Sequence, residues 1–120
     1  WSEAQAVLVP WRLLAAPTDW EGFADALDAA PREPRAGATA TGEALVAALA
    51  LLARCPFPSV RQVVDVSGDG ASNRGRAPGP VRDIAVAAGV TVNALAVEDE
   101  EPELAAHFAA VLELAKLGQV

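Results

Sequence analysis

The segment Val63 to Asn73, VVDVSGDGASN, narrows the possible folds more than any other: a β-branched run passes directly into a loop with almost no side-chain bulk. Val63, Val64 and Val66 supply what a covered parallel strand requires. Gly68 and Gly70 flank Asp69, so the backbone can turn sharply there and present its carboxylate. In α/β proteins, loops that follow such strands hold ligand sites. An aspartate in that position needs a cation, a donor or water, although Asp between glycines is also ordinary turn chemistry.

The surrounding pattern places this strand in a βαβ unit. Arg61 to Ser67 is the expected central strand. Pro78 to Ala88 is the following helix, with a proline in its first turn and Gly89 as its C-cap, and Val90 to Ala96 is a second strand. Short connections of this kind make a right-handed crossover, so the two strands should pair in parallel. Upstream, Ala6 to Val9 reads as an edge strand ended by Pro10. Thr18 and Glu21 form an expected capping box, opening a helix with Phe23, Ala24, Leu27 and Ala30 at helical spacing. That helix should stop before the Pro/Arg/Glu-rich stretch 31–35. A second helix, Gly42 to Arg54, carries Leu45, Leu49 and Leu52 on one stripe and stops before Pro56. Pro102 is expected to open a last helix and Gly118 to close it. There is no internal repeat or low-complexity tract, and residues 1–120 read as a single domain.

Composition excludes several classes of function. The formal charge is -7 and the arginines are scattered, which argues against nucleic acid or an anionic membrane surface as partner. The longest apolar run, Ala44 to Ala53, is about half of the ~18 to 20 residues of a membrane-spanning helix. Cys55 is the only cysteine, so no intrachain disulfide forms, and its place between a helix and Pro56 suits a structural role. His107 has no Cys or second His as a companion and reads as neither ligand nor catalyst.

A second segment, Gly37 to Leu45, puts Thr39 and Thr41 just ahead of an apolar helical run. Thr39, Thr41, Gly42, Ala44 and Leu45 resemble the threonine loop of von Willebrand factor type A domains. Ser67, Asp69 and Gly70 resemble the end of their fourth strand. Within that superfamily the chain is most similar to a bacterial family of exported proteins of unknown function. That similarity rests on Asp65 to Gly70 and Asn73 to Gly75, with Trp1, Ser2, Val9, Pro10, Trp11, Cys55, Pro56, Phe57 and Asn93, and it fades after about Phe108. By that resemblance the chain carries two of the three loops of a metal-ion-dependent adhesion site, and no segment reads as the family's first strand ending in Asp-x-Ser-x-Ser. A chain that starts at Trp1 and lacks methionine is accordingly expected to be a fragment.

The resemblance implies an incomplete doubly wound, mainly parallel sheet flanked by helices. It further implies a non-enzymatic, exported or periplasmic binding module that uses Mg2+ or Mn2+ to engage a protein or ligand carboxylate. Thr39 would be the direct metal ligand and Asp69 would act mostly through water, while Thr41 would serve the helix end. Asp65 and Ser67 share one strand face and would support the site, with Asn73 on the loop rim. On residue type alone, either threonine equally suits a helix cap. An uncovered edge on the central strand would favour self-association. Two other readings stay open: a nucleotide- or phosphate-handling α/β enzyme using the 67–75 loop, and a structural remnant that binds nothing. Against the former, Asp69 would repel a phosphate and the third glycine of a dinucleotide fingerprint is missing. The spacing Asp65-x-Ser67-x-Asp69-Gly70 also imitates half of a calcium-binding loop, but Arg76 stands where a bidentate Glu is required.

Overall fold

A computed structural model describes residues 4–31, 38–97 and 103–113. The elements run α1 (Pro17–Ala29), α2 (Thr41–Ala53), β1 (Val63–Gly68), α3 (Pro78–Ala87), β2 (Thr91–Ala96) and α4 (Leu104–Phe108), the last continuing into a π-helical turn, Ala109–Glu113. The two strands pair in parallel, Val63 opposite Thr91 and Gly68 opposite Ala96. This is the expected crossover through α3. Gly89 follows α3 with φ of +81°, a conformation that side chains with a Cβ rarely adopt, and lets the chain reverse into β2.

The pleat decides where the core lies. Val64 and Val66 of β1 share a face with Val92 and Ala94 of β2, and these pack with Leu45 of α2, Val81 and Ala85 of α3, and Leu104 and Phe108 of α4. Phe108 is 2 % exposed, and burying a side chain of that size contributes about 1.5–3 kcal/mol. The opposite face carries Asp65, Ser67 and Leu95, all exposed. Helices therefore cover one face of a two-stranded sheet among the described residues, and the molecule is a compact partial α/β fold rather than a full doubly wound sheet.

Several local expectations need correction. Ala6 to Val9 forms no strand. The only described strands are β1 and β2, and a lone extended segment has no ladder to satisfy its backbone. This part of the chain lies instead along α2, where the Trp11 indole N–H donates to the Leu51 carbonyl at 3.1 Å. The first helix starts at Pro17 rather than after Thr18, because proline suits the first helical position. Asp19, not Glu21, then takes the capping role: its carboxylate accepts from the Ala15 and Ala16 N–H groups at 3.0 and 2.8 Å. Those two bonds hold the Asp19 carboxyl below its usual value. The expected loop over 32–35, Pro102 and Gly118 lie outside the described residues.

Candidate functional site

The site sits at the carboxyl edge of β1, where two chain segments far apart in sequence are bonded together. The Asn73 side-chain Oδ1 accepts from the Thr39 N–H at 2.9 Å, and the Thr39 carbonyl accepts from the N–H groups of Asn73 and Arg74 at 2.8 and 3.2 Å. Two residues on from Thr39, at the first position of α2, the Ser72 hydroxyl accepts from the Thr41 N–H at 3.2 Å. Helix α2 needs this help. Its N-cap is Ala40, which has no side-chain acceptor to offer, and the first N–H groups of a helix have no partner within it. Ser72 thus acts as a cap supplied from another loop.

Close approach of the two segments requires a glycine. A Cβ on Gly42 would stand 2.0 Å from the Arg76 carbonyl oxygen. Beside it, the Glu43 carboxylate accepts from the Arg76 backbone N–H at 3.1 Å and from its guanidinium Nε at 2.8 Å. The backbone N–H first, and the guanidinium second, hold the Glu43 carboxyl below its usual value.

These bonds bring Thr39 and Asp69 together. With Ser67, Gly68 and Gly70 they line an open cleft of about 230 Å³. Among the described residues, the side chains of Thr39, Ser67 and Asp69 take part in no hydrogen bond or ion pair. Their neighbours of similar type are differently placed. Asp65 lies on the exposed sheet face and accepts from the Asn93 side-chain amide at 2.8 Å. Asn73 is committed to Thr39. Thr41 does not cap α2: it is the first residue inside the helix, 1 % exposed, with its hydroxyl buried and unpartnered.

Three participants had no role in the sequence reading. Ser72 and the Glu43–Arg76 pair fasten the loop, and the His107 imidazole Nε2 accepts from the Ser72 N–H at 3.3 Å. Ser72 and His107 are 35 residues apart, and no local pattern links them. Cys55 is a free thiol directed at the Phe57 carbonyl. No group of three His, Cys, Asp or Glu side chains gathers among the described residues, so the oxygens meeting at the cleft are hydroxyls and one carboxylate.

The sequence model of a family described as "Protein of unknown function (DUF1194)" matches residues 1–115. The chain belongs to this family. The match spans both segments of the candidate site, the Thr39 segment and the 67–76 loop. No curated protein and no solved structure matches this DUF1194 chain. Among the described residues, no helix is long and apolar enough to cross a membrane.

Two expected outcomes follow from the clamp. Gly42→Ala should destabilise the protein by about 1–3 kcal/mol in urea unfolding, even though alanine in a helix is otherwise favoured by ~1 kcal/mol; equal or greater stability would contradict the close approach. The Glu43 contact depends on pH. A carboxyl lowered in the folded state stabilises above its unfolded value, and that contribution is lost as pH falls through the folded one. The Arg76 amide resonance should therefore titrate with a midpoint below the ordinary glutamate value of 4.5, and Glu43→Gln should remove the transition.

Proposed function

We propose that this chain contributes to a non-enzymatic, divalent-cation-dependent binding module of the von Willebrand factor A type, in an exported or periplasmic protein. The observation that carries this reading is the cleft itself: the side chains of Thr39, Ser67 and Asp69 line it with no internal partner among the described residues, while those of Asp65 and Asn73 are taken up by the Asn93 amide and the Thr39 N–H. The donor set fits the ion. Mg2+ takes hard oxygens, binds through one or two carboxylates and retains several waters. Thr39 would hold it directly and Asp69 mostly through water, with Ser67 beside them. When bound, the ion would supply a positive centre able to accept a carboxylate from a protein or ligand partner.

With so few protein oxygens, binding by this chain alone is weak. Mn2+ is a suitable probe, because its paramagnetism broadens nearby amide resonances without requiring tight binding. Titration should broaden Thr39 and Ser67 to Gly70 selectively, and Asp69→Ala should abolish the effect while leaving the remaining spectrum unchanged. Uniform broadening, or the same pattern in Asp69→Ala, would sink the assignment.

The same reading includes self-association. Among the described residues β1 is paired on one side only, and parallel strands are ordinarily covered on both faces. An unpaired apolar strand edge offers a second chain a template. Sedimentation velocity should therefore show a mass that rises with concentration, and a monodisperse monomer across the accessible range would rule this out.

A further inference from the structure

We propose that His107 is a positioning residue: as neutral imidazole it holds the cleft loop against the N-terminus of α2, and on protonation it releases that loop. The contact runs through Ser72. The Ser72 N–H donates to His107 Nε2 at 3.3 Å, and the Ser72 hydroxyl in turn accepts from the Thr41 N–H at 3.2 Å. Ser72 is therefore bonded on one side to α4 and on the other to the first turn of α2. Its neighbour Asn73 carries the paired bonds to Thr39.

An imidazole nitrogen accepts a hydrogen bond only without its proton, so Nε2 is bare and the ring proton resides on Nδ1. Protonated imidazole has a donor at both nitrogens and faces the Ser72 N–H donor to donor. The Ser72 bond is what fixes the ring in this position. The ring is half-buried on α4 next to Phe108, which is among the most deeply buried side chains of the core, and the His107 N–H bonds to the Glu103 carbonyl at 3.0 Å.

β2, packed against α4, has no ionisable side chain, and neither have Ala109, Ala110 and Val111 of the π-helical turn. Glu103 stands one turn earlier on α4. The cleft loop carries Asp69, Arg74 and Arg76, and α2 carries Glu43, which is engaged by Arg76. Arg82 of α3, which reaches the Ala110 carbonyl, is paired with Asp83. Acid therefore acts on two separate contacts, His107–Ser72 and Glu43–Arg76.

The inference rests on the cation reading only where it extends to metal affinity, and the test keeps the two apart. Amide exchange protection at Ser72, corrected for intrinsic exchange, should fall roughly fivefold between about pH 8 and pH 5. In His107→Gln, whose side-chain oxygen accepts at either pH, it should stay constant. Identical Ser72 profiles in the two proteins would overturn the proposal. If His107→Gln does not fold, the wild-type Ser72 amide must titrate with the same midpoint as the His107 ring protons, and a different midpoint overturns it. Mn2+ broadening at Ser67 to Gly70 should weaken with the same midpoint. If Mn2+ never binds but Ser72 behaves as expected, the positioning role stands and the cation reading falls.

Discussion

The paired bonds between Thr39 and Asn73 are the constraint on which the rest of the site depends. Both engage the Thr39 backbone, one through the Asn73 side-chain Oδ1 and the other through the Asn73 N–H, so they fix the path of the chain as well as one side chain. Once that path is set, Thr41 falls within reach of Ser72, Gly42 meets the Arg76 carbonyl, and Thr39 comes beside Asp69. The clamp also resolves a problem in α2. A helix that begins with Ala40 at its cap needs outside acceptors for its first N–H groups, and the loop after β1 provides one. Cleft geometry and helix stability therefore share the same bonds.

The parallel unit was legible in the sequence because its signals are local. The valine run, the prolines opening α3, and Gly89 after it each act within a few residues, and strand, helix and strand appear where expected. The meeting of Thr39 and Asp69 was legible only through resemblance, since 30 positions separate them and no spacing rule joins them. Contacts made in three dimensions by ordinary residues left no trace. Ser72 resembles any loop serine, and His107 lacks the Cys or His companions that would mark a ligand. The misplaced start of α1 is a different kind of miss. Thr18 suits a helix cap, but Pro17, by fixing φ one position earlier, opens the helix itself, which makes Ala16 the cap and Asp19 the third helical residue. Ala6 to Val9 failed as a strand because strand character depends on a partner as much as on composition.

The sheet register then determines which acidic and hydroxyl groups stay free. Asp65, Ser67 and Asp69 alternate along one line, yet they meet different neighbours. Asp65 lies opposite Asn93, whose amide reaches it across the strands. Ser67 lies opposite Leu95, which has nothing to donate or accept, so its hydroxyl gains no cross-strand partner. Asp69 stands one residue beyond Gly68, the last paired position, with a glycine on each side. Moving one strand by a single residue would put every side chain on the other face and exchange these fates. The same valines that fix the register by burying one face, Val64 and Val66 against Val92, thereby leave a hydroxyl and a carboxylate unclaimed at the strand end, beside the threonine that the clamp brings to them.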